Sequence, residues 1–280
     1  MFADTRLAAR IEGAEMRLAT GFAEIAARSR PEARALVLPA ADGQAVYAGP
    51  GSPANKVIGL GFTASLDEAA LGRIEDAWRE RNEPVRFELA TLADASVHAM
   101  LTARGYVLMG FENVSARDTA IADSDRPLSC TIERLESGDS RAWSGVLIEG
   151  FAHPDGTPAP TDDHPREAIE AIFDDLARAS GFHRYLARAD GALAGAAGLR
   201  MDDGIAQLCG AATLPAFRRR GIQSSLFARR LRDAHAAGCD LAVVTTQPGS
   251  KSQANAAAQG FALLYTRAIL VKSWAPPTGA

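Results

Sequence analysis

One pattern occurs twice in this chain: a helix, a strand, a shorter helix, a glycine followed by an aromatic residue, and a long strand. In the first half it runs from a helix over 66–81, through a strand at 85–91 and a helix at 94–104, to Gly105-Tyr106. In the second half it runs from a helix over 222–237, through a strand at 241–246 and a short helix at 252–259, to Gly260-Phe261. The stretch from Val85 to Gly105 is about as long as that from Leu241 to Gly260. Self-similarity of this kind points to two copies of one supersecondary unit. Strands alternating with helices need sheets with helices packed on their faces. The 280 residues, 47% hydrophobic and 23% charged, suit two modest cores better than one large one.

The remaining elements fit around that repeat. Leu7, Ile11, Ala14, Leu18, Phe22 and Ile25 fall three or four apart, which predicts a helix over 4–28. Strands are expected at 34–38, 44–48 and 56–62, with a turn at Gly49-Pro50-Gly51-Ser52-Pro53. The polar stretch 118–127 reads as a linker, giving domains at 1–125 and 126–280. Beyond it come a strand at 131–135, a helix at 141–152, and a loop over 153–165 that holds four prolines. Pro165 suits the first turn of a helix reaching about residue 179. Strands at 183–189 and 193–201 flank the turn Asp190-Gly191, and a third strand spans 205–214. The helix over 222–237 closes at Gly238, the last strand runs over 261–271, and the tail 275–280 is expected to be disordered.

Composition removes several classes of function. A net charge of -4 argues against nucleic acid as a partner, because phosphate binding needs a basic surface. No apolar run approaches the roughly 18 residues of a membrane span. Asp4, Glu12, Glu15 and Glu24 interrupt the N-terminus where a signal peptide needs an uncharged apolar core. Cys130, Cys209 and Cys239 lie far apart with no metal-type spacing, so neither a disulfide framework nor a metal site is expected. The reading is a soluble cytoplasmic protein.

Chemistry concentrates in Leu214-Pro215-Ala216-Phe217-Arg218-Arg219-Arg220-Gly221-Ile222-Gln223-Ser224. A strand enters a basic, glycine-bearing turn that opens a helix. The first backbone N–H groups of a helix have no partner inside it and form a ready anion site. Gly221 lets an anion approach the backbone with no side chain between. Three arginines facing the positive end of a helix dipole cost a few tenths to about 1 kcal/mol unless an anion offsets both. The plain alternative is a solvated arginine cluster beside a glycine that merely turns the chain.

This half resembles the GNAT superfamily of acyl-CoA-dependent N-acyltransferases, from the strand at 131 to the strand after Gly260-Phe261. The family's pyrophosphate signature is Gln or Arg, two residues, Gly, one residue, then Gly or Ala. Arg218 and Gly221 match it, and Gln223 departs at the last position. The resemblance implies tandem GNAT-like α/β domains, each a mixed, mostly antiparallel sheet flanked by helices, with acetyl-CoA as acyl donor. It implies coenzyme contacts at Arg218, Arg219, Arg220, Gly221, Ile222, Gln223 and Ser224. It also implies that the strand end at Ala211, Ala212 and Thr213 splays from its neighbour, bonds the pantetheine arm and stabilises the oxyanion. Asn255 resembles the helix asparagine that holds pantetheine.

Acid and base are less legible. Family members often carry an acidic Tyr four residues before the Gly-Phe pair, where this chain has Ala256; Tyr265 is the substitute candidate, against an ordinary role as a strand aromatic. The strand over 205–214 lacks the family's Glu, which leaves Glu149, His153 or water as the base. The first half carries Gly61-Phe62-Thr63-Ala64-Ser65-Leu66 where the arginine turn would fall, and reads as a GNAT-like half without coenzyme binding. The leading reading is an N-acetyltransferase for the primary amine of a small molecule or peptide. Its rival is a non-catalytic acyl-CoA binder, and a nucleic-acid module using the arginines is opposed by the acidic balance. Acceptor and oligomeric state, a homodimer included, are open at this level.

Overall fold

The computed structural model describes residues 1–120, 129–135, 140–153 and 164–274. Most of the expected linker, the centre of the proline-rich loop and the tail lie outside the described residues. In chain order the elements are α1 (Thr5–Ser29), β1 (Leu36–Ala40), β2 (Gly43–Tyr47), β3 (Lys56–Ile58), α2 (Glu68–Arg79), β4 (Val85–Ala90), α3 (Ala95–Ala103) and β5 (Val107–Asp118). They continue as β6 (Thr131–Leu135), α4 (Arg141–Ala152), α5 (Arg166–Arg178), β7 (Phe182–Ala189), β8 (Ala192–Asp202) and β9 (Ile205–Thr213). The last four are α6 (Ile222–Ala236), β10 (Leu241–Thr246), α7 (Lys251–Ala258) and β11 (Ala262–Lys272). No helix among the described residues is long and apolar enough to cross a membrane.

The described chain divides into two compact units, and the division does not follow the linker. One unit takes residues 2–112, 164–175 and 265–274; the other takes 113–120, 129–135, 140–153 and 176–264. A contiguous split near residue 125 was the expectation. Instead the two long strands that end each repeat change unit partway along. The second half of β5 pairs antiparallel with β10, from Asn113↔Thr246 to Asp118↔Leu241. The second half of β11 pairs antiparallel with β4, from Arg267↔Ala90 to Lys272↔Val85. Each long strand thus completes the sheet of the other repeat.

In the N-terminal unit the strand order is β1-β2-β3-β4-β11, antiparallel except for β3 with β4. Alternation in β4 sends Val85, Phe87 and Leu89 to one face, where Trp78, Leu71 and Ile74 of α2 and Leu101 of α3 complete a core. Trp78 is fully buried and meets Tyr47 edge-on, with ring centroids 5.9 Å apart; truncating such a side chain costs about 3–5 kcal/mol. The long helix α1 covers the opposite face, packing Ala19 and Ala23 on Val46 and Ile58. Asp4 begins α1 by accepting the Leu7 N–H at 2.7 Å.

The C-terminal unit has the order β5-β10-β9-β8-β7-β6, antiparallel except for β9 with β10. α6 and α7 cover one face over Leu199, Leu208, Phe227, Phe261 and their neighbours. α4 covers the other, held by Trp143, whose indole N–H donates to the Ala197 carbonyl at 2.9 Å. Each unit is therefore a mixed, mostly antiparallel sheet with one parallel pair, and the helix after the first strand of that pair (α2 or α6) makes the crossover.

Strand β3 is shorter than expected. It stops at Ile58, because Gly59 and Gly61 take φ of +81° and +90° and turn the chain out of the sheet.

Candidate active site between the ends of β9 and β10

The parallel ladder of the C-terminal unit is only three pairs long. It joins Leu241 to Ile205, Ala242 to Ala206 and Val243 to Gln207, then stops, although β9 continues to Thr213 and β10 to Thr246. The cause lies in β9. Its pairing with β8 slips by one residue between Cys209 and Ala212, and Gly210 there takes φ +52°. An extra residue in one strand bends it and sharpens its twist. β10 meanwhile stays paired with β5 to its last residue. The two strands part, and a cleft opens at their C-terminal ends.

Ala211, Ala212 and Thr213, singled out from the sequence, stand on the parted edge of β9. The Leu214 N–H donates to Ala194 on β8 at 3.0 Å. Alternation along an antiparallel strand then turns the Thr213 N–H away from β8, toward the opening. Two hydroxyls at the strand ends are buried without a hydrogen-bond partner, Thr213 Oγ1 on β9 and Thr246 Oγ1 on β10. Buried polar groups are normally paired, so these two suit an amide-bearing ligand threaded between the strands. Thr246 escaped the sequence reading; its mark was a threonine closing the strand parallel to β9.

The cleft leads to the start of α6. Gly221 is the N-cap, in the left-handed conformation at φ +78°, and no side chain caps the helix. The first intrahelical bond runs from the Ser225 N–H to the Gly221 carbonyl. The N–H groups of Ile222, Gln223 and Ser224 precede it and stand at the open end. The Ile222 side chain itself is buried, so its offering to an anion is the backbone alone. Gly221 has a second reason to be glycine: a Cβ would stand 2.9 Å from the Ser129 hydroxyl, and Ser129 is tied to Ser225 through an N–H···Oγ bond of 2.9 Å.

The three arginines turn out to be unlike one another. Arg218 pins the loop, donating from Nε to the Thr213 carbonyl at 3.3 Å and from a guanidinium N–H to the His153 carbonyl at the end of α4. Arg220 pairs with Asp190 at 2.6 Å and lies over the Phe217 ring. Arg219 is exposed, with φ +60°. The sequence argument treated all three as anion ligands. Tertiary contacts give Arg218 and Arg220 framework duties and so fix the loop that presents the backbone.

Helix α4 closes the cleft from the other face of the sheet. A Cβ on Gly150 would come within 2.4 Å of Ala212 Cβ, so the helix lies directly on the end of β9. Its neighbour Glu149 is 59% exposed, and its carboxylate stands 3.3 Å from His153 Nδ1. Asn255 is half-buried on α7. Ala256, where a family tyrosine would stand, is buried in the core.

Tyr265 requires a correction. It belongs to the N-terminal unit, is buried, and donates its hydroxyl to Glu12 at 2.6 Å. Burial, with Glu12 beside it, holds the phenol far above its ordinary range. A committed hydroxyl with a raised pKa is a poor proton donor, so Tyr265 does not serve as the acid.

The corresponding place in the N-terminal unit is closed. The N–H groups of Gly61, Phe62 and Thr63, just beyond β3, all donate to the Asp42 carboxylate at 2.8, 2.8 and 2.6 Å. The Gly61 carbonyl accepts the Asp94 N–H at 2.8 Å. Asp67 caps α2 by accepting the Ala70 N–H. Internal carboxylates occupy the donors that the C-terminal unit leaves open. Among the described residues no cluster of metal-ligating side chains occurs.

Comparison with known proteins agrees with this geometry. Residues 151–261 match the profile of the Acetyltransferase (GNAT) family, a family that uses acetyl-CoA. No curated protein matches the chain. Among solved structures, the chain is similar to a GCN5-related N-acetyltransferase from Kribbella flavida at 18% identity and a TM-score of 0.62, covering 92% of this chain and 96% of that one. It is similar to a tandem GNAT protein from the clavulanic acid biosynthesis pathway at 13% identity and a TM-score of 0.60, covering 85% and 80%. A putative GNAT-family acetyltransferase from Novosphingobium aromaticivorans aligns at 14% identity and a TM-score of 0.52, covering 88% and 94%. Residues 151–261 therefore match the GNAT acetyltransferase family, within a chain whose fold is similar to that of solved GNAT and tandem GNAT proteins.

Proposed function

We propose that the protein is an acetyl-CoA-dependent N-acetyltransferase that acts in the cytoplasm on the primary amine of a small molecule or peptide. The observation that carries this reading is a pair of open ends on one side of the sheet, joined by a single loop. They are the parted end of β9 and the uncapped start of α6.

Acetyl-CoA supplies an activated acetyl thioester. The N–H groups of Ile222, Gln223 and Ser224 at the head of α6 hold a pyrophosphate, aided by the helix dipole and by Arg219. Thr213 and Thr246, whose hydroxyls lack partners, and Asn255 on α7 receive the amides of the pantetheine arm. The Thr213 N–H faces the place where negative charge grows on the thioester oxygen, and a donor fixed there lowers the barrier without reorganising. Removing one such donor costs about 3–4 kcal/mol of transition-state stabilisation. Glu149, on the helix that lies on Ala212, takes the proton from the attacking ammonium directly or through water. A thiolate leaving group needs less help than an alkoxide, because thiols ionise near pH 8.5.

The burial of Ala256 and the engagement of Tyr265 favour one other reading, an acyl-CoA binder without turnover. Calorimetry with acetyl-CoA on the wild type and on Arg218→Glu, Gly221→Glu tests the site, and thiol release across a panel of amines tests turnover. Micromolar binding lost in the double variant, together with amine-dependent thiol release, supports the transferase. Binding with no release from any amine supports the binder. No binding to the wild type at about 1 mM, roughly 4 kcal/mol of affinity, sinks both.

A further inference from the structure

The C-terminal unit buries a guanidinium that meets no anion. Arg230 on α6 is 1% exposed. Its partners are neutral: Nε donates to the Leu226 carbonyl at 3.1 Å, Nη1 donates to the Gly198 carbonyl at 2.9 Å, and the guanidinium lies over the Phe227 ring. Nη2 is buried with no acceptor. Among the described residues no carboxylate pairs with it. Burial lowers Arg230 from its ordinary value to about 10, so it stays cationic at neutral pH. A charge taken out of water is costly unless a counter-charge joins it.

The carbonyl that Arg230 holds belongs to the place where β9 leaves its neighbour. Gly198 on β8 is the register partner of Cys209 on β9, at the slip in pairing. Cys209 also lies two residues beyond Gln207, the last residue of β9 paired with β10. Gln207 is buried, whereas Cys209, past the end of that ladder, is partly exposed and carries a thiol. Of the acidic groups that act on Arg230, the Cys209 thiol comes first, ahead of the Tyr185 phenol. Tyr185 is itself engaged, donating to Asp233 at 2.8 Å. The other charges along this row do not oppose a thiolate. Arg184, opposite Gly198 on β7, is a second buried cation. Arg200 on β8 is matched by Asp202 at 3.4 Å and by Gln207 at 2.7 Å.

We propose that Cys209 is a modification site, whose thiolate, stabilised by the buried Arg230, exchanges with low-molecular-weight disulfides. The thiolate is the nucleophile, and a neighbouring cation raises its share. Cys209 gives its proton to solvent, and its sulfur attacks one sulfur of the disulfide. The old S–S bond breaks, and the other half departs as a thiolate that takes up a proton. Cys209 is oxidised to the mixed disulfide as the incoming disulfide is reduced, so no further oxidant enters. The proposal does not depend on the coenzyme reading and holds or fails without it.

The chain carries its own control. Cys130 is also partly exposed, but it sits beside Ser129 and Ser225, and burial pushes its thiol up. The test treats the full-length protein with hydroxyethyl disulfide, a small neutral reagent, at about pH 7, below the ordinary thiol range. Samples are quenched in acid, and peptide mass spectrometry reads the modified fraction at each cysteine. In the wild type Cys209 is expected to react at least about tenfold faster than Cys130. In Arg230→Met the Cys209 rate is expected to fall about tenfold and its dependence on pH to move to higher pH, with Cys130 unchanged. Arg230→Lys, which keeps the charge, is expected to recover much of the rate. Melting curves establish that the variants are folded, and the wild-type ratio needs no variant. A purely structural arginine would alter melting and leave the pH dependence in place. Reaction of Cys209 no faster than Cys130 in the wild type overturns the proposal, as does an unchanged Cys209 rate in folded Arg230→Met.

Discussion

Gly150 is a residue whose role reverses the usual helix rule. Replacing glycine by alanine inside a helix ordinarily gains about 0.5–1 kcal/mol of stability. Here the added methyl would stand 2.4 Å from Ala212 Cβ, so either α4 or the end of β9 must shift. Overpacking costs about 1–3 kcal/mol, so Gly150→Ala is expected to lower the urea midpoint and to weaken acetyl-CoA binding with it. Asp42 makes a second residue-scale case. Burial pushes its carboxyl up, but bonds from Gly61, Thr63 and Phe62 outweigh that and hold it below its ordinary value. A depressed carboxyl gives stability that is present above the unfolded value, near 3.9, and is lost as pH falls through the lower folded value. Asp42→Ala is expected to cost about 1–3 kcal/mol at neutral pH by stranding three donors. In acid unfolding curves the gap between wild type and variant should narrow below about pH 4.

Among the elements, the two crossover helices show how similar parts come to differ. α2 starts from Asp67, which caps it, and the turn before it is filled by Asp42. α6 starts from Gly221 with no capping side chain and keeps its donors open. Gly221→Ala would force a side chain into φ +78° and against Ser129, a strain of about 1–2 kcal/mol. Acetyl-CoA affinity is expected to fall by about tenfold, the equivalent of 1.4 kcal/mol, while far-UV dichroism stays that of the wild type. Unchanged affinity would mean that the head of α6 does not hold the coenzyme. Element positions were largely legible because apolar spacing carries them: β6, α4 and β10 fall where periodicity put them. β3 did not, since an apolar run cannot reveal that Asp42, from a different turn, will claim the N–H groups beyond Ile58.

For the molecule as a whole, the exchange of β5 and β11 between sheets ties the two repeats into one folding problem. β4 has its antiparallel neighbour only when residues 267–272 are present, and β10 only when 113–118 are. Fragments 1–125 and 126–280, produced separately, are each expected to lack a stable tertiary structure by near-UV dichroism and amide protection. The intact chain is expected to unfold with its two units coupled. Two independent, folded fragments would refute the exchange as a source of stability.

The sequence by itself determined the class of fold and most element positions, and it pointed to a repeat and to an anion site at the turn holding Arg218 and Gly221. All of these follow from spacing along the chain, where glycines, prolines and apolar periods act locally. What only the tertiary structure decided depends on pairs distant in sequence. The parting of β9 from β10 needs β8 and β5 to hold them on opposite sides. Arg218 and Arg220 acquired framework roles from His153 and Asp190. Tyr265 lost its catalytic candidacy to Glu12, 253 residues away. A side chain's chemistry is fixed by its type, but its task is fixed by the partner it meets, and only folding brings that partner within hydrogen-bonding distance.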